Sequence, residues 1–337
     1  MFDEIGRPTP PLLLRPHTLG ESTASAAPSK APSPWHPGEL SMQRRVGVAE
    51  KMQIVGARSI RDHLIEQHRL FYPRLPFVVL GTVDRLGDAW ATVRAAQPGF
   101  LHSPEASRLE VALSRDLADP ADVGMEDGDA IALLGIEPPT RRRNRLNGTI
   151  ERETEQGFGV AVKQSFGNCP RYIIPRSVAY DPVRASYPRP APIHLAHLDG
   201  RAAEMVRTAD TFFVASYAMG EDGSHSVDVS HRGGPSGFVR IGVNGDLTIP
   251  EFPGNGFFNT LGNFLLNRKA GLAFIDPETG DLLQVSGDAE VVLGDPARSG
   301  AARSWRFEPR HILLRPEALP LRPWPDMSPT IVSKAKV

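Results

Sequence analysis

The sequence predicts a mainly β protein with flanking helices (an α+β chain) made of two tandem copies of one β-barrel module, and three observations lead there. Its 337 residues fit about two domains. The same order of signals, a helix running into an apolar strand and then a set of hairpins, occurs twice. Regular strand–helix alternation is missing, and so are GxGxxG and Walker loops, which argues against a doubly wound nucleotide-binding domain. Two unrelated small β-rich domains remain the alternative to a repeat.

The elements follow in chain order. Residues 1–45 are rich in Pro, Ser and Ala and bury too little to offset their ordering entropy. They read as an arm that is flexible or draped over the body, with Trp35 the one residue suited to anchoring it. From Val46 to Leu70 the apolar residues Val48, Met52, Val55, Ile60, Leu64 and Ile65 recur at roughly helical spacing, which predicts one or two helices ending before Pro73. Two β-rich runs then meet at a turn containing Gly87-Asp88, a hairpin signal. Further strands fit residues 109–114, 129–137, 142–151 and 158–166, giving a first domain over 46–174.

A Pro-rich passage at 175–197 reads as a linker, a second domain spans 198–322, and 323–337 form a tail. The second domain repeats the pattern. A short helix at 199–209 leads into an apolar strand at Thr211–Tyr217, matching Phe77–Val83 in the first domain. A helix is expected at 257–267, with Phe258, Leu261, Phe264 and Leu265 on one face, then a hairpin around Pro277-Glu278-Thr279-Gly280. Each half also has a strand with a small-residue step, Leu146-Asn147-Gly148 and Val285-Ser286-Gly287.

Composition limits the function classes. Hydrophobic residues are 40% and charged residues 23%, an ordinary globular balance with enough apolar material for real cores. Lys plus Arg number 38 against 39 Asp plus Glu, so no global field points to nucleic acid or an anionic membrane. Cys169 is the single cysteine and the ten histidines are scattered, which leaves no disulfide framework and no recognisable metal site. No apolar run approaches the ~20 residues of a membrane span. The start, MFDEIGRPTPPLLL, is acidic and broken by prolines, unlike a secretory signal, so a cytoplasmic protein is expected.

Four stretches could carry chemistry. Ser230-His231-Arg232-Gly233-Gly234 sets a hydroxyl, an imidazole and a guanidinium beside two glycines, which suits an anion such as phosphate; a solvated hairpin loop is the alternative. Residues 250–263 form a Gly-rich loop entering a helix, where Asn255, Asn259 and Thr260 could bond a phosphate or a polyol chain, or Asn255 could simply cap the helix. Arg141-Arg142-Arg143-Asn144-Arg145 lies between β-like stretches, either as a solvated edge or with one or two arginines facing an anion. Gln164-Ser165-Phe166-Gly167-Asn168-Cys169 is a polar strand end, and its cysteine has no assignable base.

Together these stretches resemble the pyridoxamine 5′-phosphate oxidase-like superfamily of FMN-binding split barrels, and more closely its two-copy members of unassigned activity. The resemblance covers residues 46–320, most specifically HRLFYPRLPFVVLGTVD, LLGIEPPTRRRNRLNG, QSFGNCPRYI, DVSHRGGPSGFV and GNGFFNTLGNFLLNRKAGLAFIDPETGDLLQVSG. It implies two tandem split β-barrels with FMN in a cleft between them, and it leaves room for a homodimer. Ser230, His231 and Arg232 would contact ribityl and phosphate groups, Asn255, Asn259 and Thr260 would form the phosphate loop, and Gln284 would reach the isoalloxazine ring. Gln164, Ser165 and Asn168 would close the cleft from the first half.

The Ser-Arg-Lys phosphate triplet of the vitamin B6 oxidase is replaced by Asn255-Gly256-Phe257, which argues against pyridoxamine phosphate as substrate. The resemblance implies an FMN-dependent oxidoreductase with a small-molecule substrate and an electron donor or acceptor, or else a non-catalytic flavin- or haem-binding, storage or sensing protein. No catalytic residue is assigned, and no metal, nucleic acid or membrane is expected.

Overall fold

A computed structural model describes residues 33–293 and 303–322. Two antiparallel sheets form its centre. The first contains β1 (Phe77–Val83), β2 (Ala89–Ala95), β3 (Leu101–Glu105), β4 (Arg108–Val111), β5 (Ala130–Glu137), β6 (Arg142–Thr154) and β7 (Gly157–Gly167), in the order β2-β1-β5-β6-β7-β4-β3. After the short β8 (Ile193–Leu195), the second contains β9 (Thr211–Met219), β10 (His225–Gly233), β11 (Arg240–Ile241), β12 (Leu247–Pro250), β13 (Lys269–Ile275), β14 (Leu282–Val292) and β15 (Ser304–Arg315). Its order is β10-β9-β13-β14-β15-β12-β11, the same path strand for strand. Among the described residues six α-helices flank the sheets: α1 (Pro37–Arg45), α2 (Ala49–Ser59), α3 (Glu66–Arg69), α4 (Pro182–Ala185), α5 (Gly200–Thr208) and α6 (Asn259–Leu266).

Alternation along the strands builds three cores. In β1, Val78 and Leu80 enter the interior of the first sheet, while Phe77 and Val79 face the second sheet. In β9, Phe212 and Val214 enter the second interior, and Phe213, Ala215 and Tyr217 face the first sheet. Both faces of β1 are buried, which is why its sequence reads as a continuous apolar run rather than an alternating one. The third core is therefore a seam between the sheets.

The two small-residue steps both face a β-bulge in the neighbouring strand, where Lys163 of β7 and Arg310 of β15 are the extra residues. Pairing shifts between Asn147 and Gly148 in β6 and between Ser286 and Gly287 in β14. At each bulge the neighbouring backbone lies where a side chain would go. A Cβ on Gly148 would sit 2.2 Å from the Ala161 carbonyl oxygen, and one on Gly287 would sit 2.1 Å from that of Glu308.

Two expectations about segments change. The sequence assigns no helix before Val46, but residues 37–45 of the arm form α1. Pro37 suits the first turn, His36 and Glu39 make a capping box, and Met42 is fully buried. Trp35 does anchor the segment, being 3% exposed and donating its indole N–H to the Met52 carbonyl at 3.1 Å. Residues 1–32 and the tail 323–337 lie outside the described residues. The Pro-rich passage is more than a spacer, since β8 pairs with β15 and Tyr180 bridges to Leu321.

Gly148→Ala forces a methyl into backbone, so we expect it to lower the unfolding free energy by about 1–3 kcal/mol. Urea unfolding measures this, and an unchanged midpoint would mean the bulge relaxes freely.

Candidate functional site

The site grows out of a buried ion pair in the seam. Arg145 on β6 and Asp228 on β10 are 3% and 4% exposed, and Arg145 Nη1 donates to Asp228 Oδ1 at 2.7 Å. Arg145 Nη2 donates to Ser230 Oγ, which also accepts from Thr260 Oγ1 at 3.1 Å. Asn147 Nδ2 donates to Asp228 Oδ1 at 3.0 Å. The arginine run is thus no solvated edge, because β6 lies between β5 and β7 and puts Arg145 into the seam. Arg141 is outside the strand, in the left-handed region at φ 55°.

Beside this pair opens a cleft with about 830 Å³ of empty space, its open mouth included. Arg143, Asn168, His231, Arg232, Asn255 and Thr260 line it, with Phe252 and Phe258 as apolar wall. Arg143 Nη1 lies 3.1 Å from His231 Nδ1. A guanidinium can only donate, so Nδ1 accepts and the imidazole proton sits on Nε2. Burial, then the Arg143 and Arg232 charges, hold His231 well below the usual histidine range, so it is neutral. Burial, followed by the neighbouring Arg145 charge, lowers Arg143 to about 10.

Several donors there have no partner. Arg143 Nε, Arg232 Nε and Asn168 Nδ2 are buried and unbonded, although Arg232 Nη2 does lie 3.4 Å from Glu251. Phe258 occupies the N-cap position of α6 in a left-handed conformation and makes no side-chain cap. Asn255 is therefore not the cap; its Oδ1 accepts from the Phe257 N–H at 3.1 Å. The uncapped first turn of α6 adds Asn259 and Thr260 to the lining. Orphaned cationic donors beside a bare helix N-terminus are suited to an anion.

The N-terminal helices brace the loop at 254–258. Gln43 donates to the Phe257 carbonyl at 3.2 Å, and the Trp35 ring meets that of Phe257 edge-on at 4.8 Å. Helix α1 crosses α6 so closely that a Cβ on Gly262 would lie 2.6 Å from Glu39 N. Glu39 then accepts from Asn259 Nδ2. Burial first, and the Asp228 charge second, push the Glu39 carboxyl up to about 8.

Seven residues expected at one site do meet around this cleft: Ser230, His231, Arg232, Asn255, Asn259, Thr260 and Asn168. Three do not. Ser165 is fully buried and bonds His68 Nδ1 at 2.9 Å, while Gln164 accepts from Asn147 at 3.3 Å. Gln284 is fully buried and donates to the Ala91 carbonyl at 3.1 Å and to Asp119 at 2.9 Å. Its place follows from register. Gln284 pairs with Ala273 and Ala273 with Phe213, as Arg145 pairs with Leu134 and Leu134 with Val79.

Gln284 is thus the positional counterpart of Arg145, in the other half, and side chains fill the space around it. Asp119 accepts from Thr92 and Gln284, and Arg315 forms ion pairs with Asp119 at 3.0 Å and with Asp116. Glu251 and Phe252 lie in the marked loop at 250–263 and Tyr172 in the marked stretch QSFGNCPRYI, though none was singled out, and all three line the cleft; Glu39, behind α6, carried no signal. Cys169 is free and half-buried. Among the described residues no group of His, Cys, Asp and Glu could hold a metal, and no helix is long and apolar enough to cross a membrane.

No protein-family model and no curated protein matches this chain. Solved structures resemble parts of it. A variant of HupZ from Group A Streptococcus aligns at 16% identity over 34% of this chain and 98% of its own, with a TM-score of 0.26. A putative pyridoxamine 5′-phosphate oxidase from Lactobacillus delbrueckii aligns at 18% identity over 32% and 95%, also with a TM-score of 0.26. HutZ, the haem storage protein of Vibrio cholerae, aligns at 14% identity over 36% and 95%, with a TM-score of 0.24. Each likeness covers about a third of this chain.

Glu39 gives the site a pH signature. Its folded value of about 8 lies above the ordinary 4.5, so the protonated carboxyl favours folding fully below pH 4.5, and that contribution is lost as pH rises to 8. Glu39→Gln should remove this decline, gaining on wild type by up to about 1.4 kcal/mol per pH unit across the window. Parallel urea unfolding of both proteins from pH 5 to 8 checks it; a constant difference would contradict it.

Proposed function

We propose that this chain binds FMN in the cleft between its two halves, as an FMN-dependent oxidoreductase of the pyridoxamine 5′-phosphate oxidase-like type whose halves are tandem split barrels. The observation that carries the proposal is the set of unpartnered donors, Arg143 Nε, Arg232 Nε and Asn168 Nδ2, beside the uncapped start of α6. A phosphate offers acceptor oxygens for such donors, and guanidinium forks bind it strongly. The matching strand paths of the two sheets support two copies of one module.

Residue roles follow from position. Arg143 and Arg232 would hold the phosphate, with the α6 first turn and Thr260 beside them. Asn168 and Asn255, which bond each other at 3.4 Å, would face the polyol chain. Leu134, Phe252 and Phe258 give the ring an apolar wall that excludes water. Bound FMN would supply the redox chemistry itself. His231, neutral and with its proton on Nε2, offers a hydrogen-bond donor rather than a charge.

Purified protein should give a flavin spectrum on saturable addition of FMN, and should bind riboflavin, which lacks the phosphate, far more weakly. Arg232→Ala should weaken FMN binding by about 1.5–3 kcal/mol. A colourless protein with no saturable binding would remove the proposal, and an unchanged affinity in the variant would move the phosphate elsewhere. Reduction of the bound flavin by NADPH or NADH and reoxidation by a defined acceptor separate an enzyme from a binding or storage protein.

A further inference from the structure

A second, more open groove lies against the cleft, with about 1060 Å³ of empty space out to its mouth. Its lining has five arginines, Arg58, Arg61, Arg141, Arg142 and Arg143, and no carboxylate. It comes from the end of α2, the segment before α3, and the turn that opens β6. The chain as a whole is nearly neutral, with 38 basic and 39 acidic residues, so this concentration of one sign is local.

The arginines are held but not neutralised. Arg142 donates to the Gln67 carbonyl at 2.7 Å and lies over the Phe71 ring at 4.6 Å, and Arg61 donates to the Ser59 carbonyl at 3.0 Å. None of the five forms an ion pair with a carboxylate among the described residues. Burial, with the Arg142 and Arg61 charges, lowers His68 to about 4, so it adds no further charge near neutral pH. Asn144, 4% exposed, also lines the groove, and its Nδ2 has no partner.

Two further features point to a ligand. Arg143 and Asn168 line both the groove and the cleft, so the two spaces lie side by side. Arg141 holds φ 55°, a conformation that Gly or Asn adopts at lower cost. Folding alone would favour glycine there, yet the position carries a guanidinium at the groove.

We infer that the groove lined by Arg58, Arg61, Arg141 and Arg142 binds a small molecule bearing two or more phosphates, whose other end reaches the cleft across Arg143 and Asn168. The placement of that other end at a flavin rests on the function proposed above; the anion site does not. A single phosphate would leave most of these charges unanswered, while a pyrophosphate-bridged or tripolyphosphate group could meet several at once.

Arg58→Glu and Arg141→Gly test this, since both residues are exposed and the second relieves backbone strain. Tripolyphosphate binding by calorimetry, on protein without added flavin, should be saturable, weaken steeply with salt, and fall at least tenfold in either variant. On FMN-loaded protein NADPH should show the same losses, with FMN affinity unchanged in both variants. Equal tripolyphosphate binding by wild type and Arg141→Gly, with the variant folded by circular dichroism, overturns the inference. So does tight binding of a mixed-sequence RNA 12-mer with no saturable tripolyphosphate or NADPH binding, which would give the groove to nucleic acid. Failure of FMN to bind, with tripolyphosphate binding intact, would sink the flavin assignment and leave the groove standing.

Discussion

The Arg145–Asp228 pair is the constraint on which the rest of the site depends. Both ends are out of water, and a buried charge that loses its partner costs about 3–5 kcal/mol. The two sheets must therefore meet in the one alignment that brings β6 to β10. That alignment also delivers Ser230 to Arg145 and Thr260 to Ser230, so strand, ion pair and helix start are tied together. The cleft opens beside this linked set rather than on independent loops, which ties its cationic, donor-rich surface to the buried ion pair.

The two halves share a strand path but not a site. In the second half the stretch after β12 contains glycines and enters α6 without a side-chain cap, leaving helix amides and arginines exposed to a space. In the first half the corresponding stretch after β4 ends in a short 3₁₀ turn at Pro120–Gly124. Asp116 and Asp119 from that stretch pair with Arg315, so the carboxylates that answer the arginine come from the chain itself. One side of the pseudo-symmetric seam is sealed with internal ion pairs and the other is open.

Much of this was legible in local sequence. The helix-to-strand entries and the hairpins carry strong local signals, and glycine at 148 and 287 is dictated by backbone approach at the bulges. Ser230-His231-Arg232 and Asn255 to Thr260 were visible because each is a dense run of donors next to glycine. What escaped depends on long-range register. The family resemblance puts Gln284 at the cleft, but the pairing across β13 and β9 puts it on the other, sealed side of the seam, beside Asp119. Arg145 looked like part of a solvated run because its partner Asp228 lies 83 residues away. Helix α1 was hidden by Pro, Ser and Ala around it, although Pro37, the His36–Glu39 box and basic residues in its last turn were all present.

A crystal structure with FMN tests the central claim most directly. The account expects the phosphate within hydrogen-bonding distance of the Arg143 and Arg232 guanidinium groups and the first turn of α6, with Arg145 and Asp228 unmoved behind it. Flavin bound around Gln284 and Asp119, or on a surface remote from both arginines, would contradict it.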